Sequence, residues 1–289
     1  MDRILTMKIK QKMRILLILV LLASLAVWIC WGNTALEVHE YEIRSSELPE
    51  AFSGFRITQV SDLHNVEFGT DNEKLLTMLA QTEPDIIVLT GDLIDSRHTD
   101  VGIALAFARQ AVEIAPVYYV AGNHEARVTA YEELKTGLRA AGVTVLENQK
   151  VQITREGEAV TLMGIEDPSF RENYLFGDAA GVAQQTMEAL QETSDGYTIL
   201  LSHRPELFDT YVATGMNLVF SGHAHGGQFR LPLVGGLVAP NQGFFPEYDA
   251  GQFIQENTIM IVSRGVGNSI IPIRVNNRPE IVVVMLCSS

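Results

Sequence analysis

Seven side chains stand out by type and spacing: Asp62 and His64, Asp92, Asn123, His203, and His223 and His225, with His124 directly after Asn123. Each follows an apolar, strand-like run. Val60-Ser61 precedes Asp62, Ile86-Ile87-Val88-Leu89 precedes Thr90-Gly91-Asp92, and Val120-Ala121 precedes Gly122-Asn123-His124. Leu200-Leu201-Ser202 precedes His203, and Val219-Phe220-Ser221 precedes Gly222-His223-Ala224-His225. A single Asp after a strand is ordinarily a turn or a cap. Five recurrences of the pattern make a constellation. Side chains two apart on a strand share a face, so Asp-x-His and His-x-His each aim two groups at one point. Two carboxylates, one carboxamide and four imidazoles suit Mn²⁺, Fe²⁺ or Zn²⁺ better than Mg²⁺ or Ca²⁺, which favour oxygen throughout. Seven donors are too many for one tetrahedral ion and fit two divalent ions sharing a carboxylate. Thiolates are excluded as ligands, because Cys30 sits inside an apolar segment and Cys287 near the end of the chain.

The elements that must position these groups alternate. Phe55–Ser61 reads as a strand, Asn72–Gln81 as a helix with Leu75, Leu76 and Leu79 on one face, and Ile86–Leu89 as a strand buried on both faces. Val101–Ile114 reads as a second helix and Pro116–Ala121 as a third strand. That order implies right-handed parallel crossovers, with ligands bound at the carboxyl ends of the strands. A helix over Ala130–Ala141 follows, then antiparallel strands at Val143–Glu147 and Val151–Ile165 that open a second sheet. Ala179–Glu192 is helical, and Tyr197–Ser202 and Asn217–Ser221 are strands. The Gly- and Pro-rich run Leu233–Pro246 reads as a long loop over the site. Thr258–Ser263 and Glu280–Leu286 are expected to complete the second sheet.

The first residues are of another kind. Arg3, Lys8, Lys10, Lys12 and Arg14 precede Ile15–Trp31, seventeen residues without a charge. A signal peptide shares this plan, but the length of the run, the Trp28 and Trp31 belt and the lack of a convincing cleavage site favour an uncleaved anchor. The expected organisation is a cytoplasmic basic tail at 1–14, a transmembrane signal-anchor helix at 15–32, a linker at 33–50 with an edge strand at Leu36–Ile43, and a catalytic domain at 51–289. The positive-inside rule places that domain outside the cytoplasm, on a single-pass protein of the cell membrane. The whole chain has 21 Lys and Arg against 35 Asp and Glu, a net charge of −14. With five basic residues and one acidic residue of the tail set aside, the body stands at −18. So acidic a surface excludes nucleic acid as the natural partner.

The ordered set Asp-x-His, Gly-Asp-x-x-Asp, Gly-Asn-His-Glu, His and Gly-His-x-His resembles the calcineurin-like metallophosphoesterase family, from about Phe55 to Gly227. His203-Arg204-Pro205, Gly222 to Gln228 and Ser263-Arg264-Gly265-Val266-Gly267 resemble its membrane-anchored bacterial branch. The resemblance implies an α/β fold, a four-layered α/β/β/α sandwich of two mixed sheets. It implies that Asp62, His64 and His225 hold one divalent ion, that Asn123, His203 and His223 hold the other, and that Asp92 bridges them. Manganese is the foremost choice of metal. Such ions activate water for in-line attack on phosphorus, and His124 donates a proton to the leaving oxygen or stabilises its charge. The expected reaction is hydrolysis of a phosphodiester or pyrophosphate bond in a phosphorylated small molecule or a lipid-linked, membrane-associated substrate. The alternatives are a phosphoprotein phosphatase and a non-catalytic metal-bound sensing module.

Two departures are visible. Ser96 follows Asp95 where many members carry Arg, with Arg97 one place later, and Glu125 stands where Asp is frequent. Glu125 is expected to hydrogen-bond His124 and Asp95 to support a ligand or cap a turn. Arg204 either contacts phosphate or forms a salt bridge. His39 and His98 are expected on the surface, and Phe244, Phe245 and Tyr248 either line a lipid-facing rim or pin the loop.

Overall fold

Ile86–Thr90 is buried along its whole length because it serves two cores at once: Ile87 and Leu89 face one, Ile86 and Val88 the other. That alternation is the period-two geometry of a strand covered on both faces. The computed structural model describes residues 2–171, 178–192, 196–268 and 270–289. Helix α1 (Asp2–Thr34) leads through two residues into strand β1 (Glu37–Ser45). Then follow β2 (Arg56–Val60), α2 (Glu73–Gln81), β3 (Ile86–Thr90), α3 (Val101–Ala111), β4 (Val117–Val120), α4 (Tyr131–Ala140) and β5 (Thr144–Val145). The second half runs β6 (Gln149–Arg155), β7 (Glu158–Gly164), α5 (Ala179–Gln191), β8 (Thr198–Leu201), α6 (Phe208–Ala213) and β9 (Leu218–Ser221). Short strands β10 (Arg230–Leu231), β11 (Gly235–Gly236), β12 (Val238–Ala239) and β13 (Gly243–Phe244) precede β14 (Gly251–Gln255), β15 (Thr258–Val262) and β16 (Glu280–Ser288).

Two six-stranded mixed sheets result, ordered β1-β16-β2-β3-β4-β5 and β14-β15-β9-β8-β7-β6. Helices α2, α3 and α4 cover the first, where Leu79, Phe107 and Leu138 pack with Leu89 and Tyr119. Helices α5 and α6 cover the second, where Met187 and Phe208 pack with Leu200, Val219 and Met260. Between the sheets lie Ile57, Val88, Leu201, Phe220, Ile261 and Val284. This is the four-layered α/β/β/α sandwich. Each large apolar side chain so buried contributes about 1.5–3 kcal/mol.

Three expectations are corrected. The strand at the end of the chain, β16, lies in the first sheet, between β1 and β2, and not in the second. Its alternate residues serve the first sheet's inner face, with Val282, Val284 and Leu286 in the core between the sheets. Thr144–Val145 likewise joins the first sheet, parallel to β4, and the hairpin that edges the second sheet is β6–β7. The run expected as one long loop folds into two small hairpins, β10–β11 and β12–β13. The expected edge strand is present as β1, paired in parallel with β16 along its length.

Helix α1 contains one segment, Lys10–Thr34, long and apolar enough to cross a membrane. Its end is fastened to the body. The Asn33 carboxamide accepts from the Arg274 N–H at 2.8 Å and donates to the Arg274 carbonyl at 3.2 Å. The Arg278 guanidinium lies 4.6 Å from the Trp31 ring centroid and donates to the Ala35 and Leu36 carbonyls.

Candidate metal centre

All the candidate donors emerge from the carboxyl ends of parallel strands: β2, β3 and β4 in the first sheet, β8 and β9 in the second. The sheets are locked together just beneath them. The Gln59 carboxamide donates to Thr90 Oγ1 at 2.8 Å and to the Ser221 carbonyl at 2.9 Å, and His203 Nδ1 lies 2.7 Å from the Thr90 carbonyl. Strand alternation does not aim the side chains. Asp62, His64, Asp92, His223 and His225 all take φ between 47 and 66°, so the motifs after β2, β3 and β9 curl through left-handed backbone just past their strands. Such conformations cost on the order of 1–3 kcal/mol each in non-glycine residues and cluster at functional sites. Gly91, at φ 93°, has no room for a side chain: a Cβ would lie 2.7 Å from the Gly122 nitrogen and from His203 Nδ1.

Every donor converges. His64 Nε2 lies 3.2 Å from His225 Nε2, and His225 Nε2 lies 3.5 Å from Asp62 Oδ1. Asp62, His64 and His225 thus form one group with donor atoms within 4.8 Å of one another. His203 Nε2 lies 3.2 Å from the Asn123 oxygen, 3.2 Å from His223 Nδ1 and 3.2 Å from Asp92 Oδ2. The same Asp92 oxygen is 3.6 Å from His64 Nε2, so one carboxylate oxygen faces both groups. Facing ring nitrogens have at most one proton to share between them. The buried Nδ1 atoms of His64 and His225 have no hydrogen-bond partner among the described residues. A cage of lone pairs with so few protons fits divalent cations.

The charges are unevenly held. Burial pushes His64 down to about 3, against the pull of Asp92, and burial with neighbouring His64 pushes His225 far down too. Burial with neighbouring Arg204 does the same to His223. Burial, reinforced by Asp92 and opposed by His203, pushes Asp62 up to about 6. Asp92 and His203 are an ion pair. Burial works against both charges, yet their mutual attraction holds the carboxyl well below its usual range and His203 up at about 10.

His124 stands beside the first group, its ring centroid 4.5 Å from that of His64. Its Nδ1 accepts the Ser96 N–H at 3.0 Å. In the neutral ring the proton therefore sits on Nε2.

Several supporting residues differ from expectation. Glu125 does not bond His124; its carboxylate accepts the backbone N–H groups of Asp92, Ile94 and Gly122 at 2.9, 3.2 and 2.8 Å. It shapes the loops after β3 and β4, and burial together with the Asp92 charge pushes it up to about 8. Asp95 is tied to Arg97, whose Nε and N–H donate to it at 3.0 and 2.8 Å. Burial alone would raise Asp95, but these bonds hold it at about 2. Of the two readings of Arg204 the structure shows the salt bridge. The guanidinium donates to both Asp167 oxygens at 2.5 and 2.9 Å, while its Nη1 lies 3.3 Å from His223 Nε2. Asp167 was not legible as a site residue, although an Asp-Pro after strand β7 repeats the strand-end signal. His39 is half-buried, against expectation, because its Nδ1 meets Glu280 at 2.6 Å; His98 is exposed. Tyr248 pins the second sheet's outer core against Phe208 and Phe253, whereas Phe244 and Phe245 face solvent.

The chain matches the calcineurin-like phosphoesterase family over residues 55–227, a span containing all eight candidate side chains. It is similar to the uncharacterized metallophosphoesterase YkuE of Bacillus subtilis (strain 168), 30% identical over 263 residues that cover 88% of this chain and 86% of that protein. It is also similar to phosphodiesterase YaeI of Escherichia coli (strain K12), 30% identical over 243 residues covering 80% and 82%. Among solved structures, TT1561 of Thermus thermophilus aligns with TM-score 0.51 at 17% identity over 74% of this chain and 91% of that one. That likeness is one of fold alone.

Proposed function

The chain belongs to the calcineurin-like phosphoesterase family and is a metal-dependent phosphoric ester hydrolase, and from that premise we propose that it cleaves a phosphodiester or pyrophosphate bond with two divalent ions. Asp62, His64 and His225 would hold one ion and Asn123, His203 and His223 the other, with the Asp92 carboxylate within reach of both groups. The observation that carries this reading is the Asp92 oxygen lying 3.6 Å from His64 and 3.2 Å from His203. When bound, such ions supply Lewis acidity toward phosphoryl oxygens and a hydroxide nucleophile at neutral pH, and imidazole with carboxylate donors suits manganese.

The chain's own groups do the rest. His124, with Nδ1 occupied by the Ser96 N–H, offers its Nε2–H to the leaving oxygen as a hydrogen bond that stabilises the charge developing there. Asn123 adds a donor without adding negative charge where the phosphate must sit. Glu125 keeps the Asp92 and Asn123 loops in register through their backbone amides. The Asp167–Arg204 pair fixes the His223 ring from behind.

The substrate is lipid-linked and met at the outer face of a membrane that α1 spans once. Residues 1–14 lie in the cytoplasm and 15–32 in the bilayer, and the end of α1 passes through two residues into β1, the first strand of the catalytic body. Tethering supports this reading, since it raises the local concentration of the domain at the bilayer without new contacts.

Full-length protein in nanodiscs with Mn²⁺ should turn over bis-p-nitrophenyl phosphate faster than p-nitrophenyl phosphate. His124→Ala should lose roughly 10²–10⁴-fold in rate while retaining both ions. Faster turnover of the monoester removes the diester reading. Two bound ions with neither ester cleaved leaves a sensing module.

A further inference from the structure

We propose that the apolar slot beside His225 holds the hydrocarbon chain of the substrate, an inference that rests on the phosphoesterase reading of the adjoining cage. The slot is a cavity of about 240 Å³ walled by Val238, Ala239, Pro240, Ile270 and Ile271, and its inner end is formed by Ala224 and His225. Gln228 is the other polar residue in the wall. Its carboxamide nitrogen is already engaged by the Ile271 and Ile273 carbonyls at 2.7 and 2.9 Å. A sugar or a charged group entering the slot would lose water and gain few hydrogen bonds in return, whereas methylenes lose nothing.

Two observations fix the occupant as part of the substrate and as lipid. The first is continuity. His225 Nε2 lies 3.2 Å from His64 Nε2 and 3.5 Å from Asp62 Oδ1, so one imidazole is both a wall of the slot and a member of the cage. A chain in the slot ends where the phosphorus must be. The second is the mouth. Of the eight large apolar side chains exposed outside α1 among the described residues, seven lie on the segments 231–234, 244–245 and 270–273. Two of these segments continue the wall: Phe244 pairs with Val238 across a hairpin, and Ile270 belongs to the wall itself. An apolar rim of this kind marks contact with another apolar phase.

The 270–273 part of the rim is held beside the end of α1. Asn33, at the end of α1, grips the backbone of Arg274 in both directions, at 2.8 and 3.2 Å, and so sets 270–273 against the end of the apolar helix. A lipid whose phosphate enters the cage thus keeps its chain in the slot and leaves the bilayer through the rim. Attack by water forms one P–O bond as the bond to the leaving group breaks. The electron pair departs on that leaving oxygen, which the His124 Nε2–H stabilises by a hydrogen bond and which takes up the proton released by the attacking water, and the chain stays on the phosphate.

A series of p-nitrophenyl alkyl phosphate diesters, methyl to octyl, tests this with full-length Mn²⁺-loaded protein in nanodiscs. The expected result is a kcat/KM that rises with length, by up to roughly three- to fourfold per methylene where burial is complete, and then levels off. Val238→Trp, which fills the slot, should lower the octyl-to-methyl ratio of kcat/KM by about tenfold or more. Ile270→Ser, at a position 76% exposed and free to change without unfolding the protein, should lower it by roughly threefold, about one methylene's worth. A flat series in protein that cleaves the methyl ester overturns the slot and leaves the hydrolase standing. A rising series whose ratio neither variant alters also overturns the slot, since the chain then acts through the bilayer alone. Failure to cleave even the methyl ester with both ions bound overturns the parent reading and takes this inference with it.

Discussion

The two halves of the cage use the same chemistry of side chains and keep their protons differently. On the side of Asp62, His64 and His225, burial leaves both imidazoles neutral and raises the carboxyl to about 6. On the side of His203, a carboxylate oxygen at 3.2 Å holds the ring charged, up to about 10. Asp92 makes the difference, because it sits closer to His203 than to His64. One half therefore presents lone pairs to a cation at once. The other must exchange a proton for it.

The strongest way to break this comparison is to delete the carboxylate both halves share. Asp92→Ala should abolish turnover by on the order of 10³-fold or more, several kcal/mol of transition-state stabilisation, and metal analysis should fall from two ions per chain to at most one. Retention of two ions would show the halves to be independent.

A smaller effect sharpens the contrast. Asp167→Ala strands Arg204, whose side chain is 2% exposed, as a buried charge without its main partner. About 3–5 kcal/mol of stability should be lost in urea unfolding. Affinity in the half containing His223 should weaken by roughly 10–100-fold, with the other half unaffected.

The smallest effect reads the protons directly. Loading the His203 half at neutral pH should release about one proton per chain, and loading the other half almost none, as measured by calorimetry in two buffers of different ionisation enthalpy. The sign follows from His203, whose folded value of about 10 lies above the ordinary 6.5. Its pairing with Asp92 stabilises the metal-free fold fully below about 6.5, and that contribution is lost as pH rises through about 10. Metal affinity in this half should accordingly climb by nearly tenfold per pH unit between those limits. Equal proton release from both halves would refute the asymmetry.

The donors were legible in the sequence because each sits within a few residues of the end of an apolar run, and runs and their ends are local signals. Their aiming was not. Asp62 and His64 share a direction through two left-handed residues, not through strand alternation, and a backbone sign of that kind is set by the neighbouring loops and leaves little trace in residue type. The sheet assignments of β5 and β16 failed for a related reason: β16 pairs with residues more than two hundred positions away, and an apolar strand reads the same in either sheet. Glu125 was recognised as part of a motif but given the wrong partner, since its three backbone contacts exist only once two loops have met.

The joint between α1 and the body is two residues long and bound on both sides by Asn33 and Arg278. A long slack connector would let the body wander freely about the end of the helix. This one works like the fixed leg of a drafting compass, holding the cage at one distance and one tilt from the end of α1.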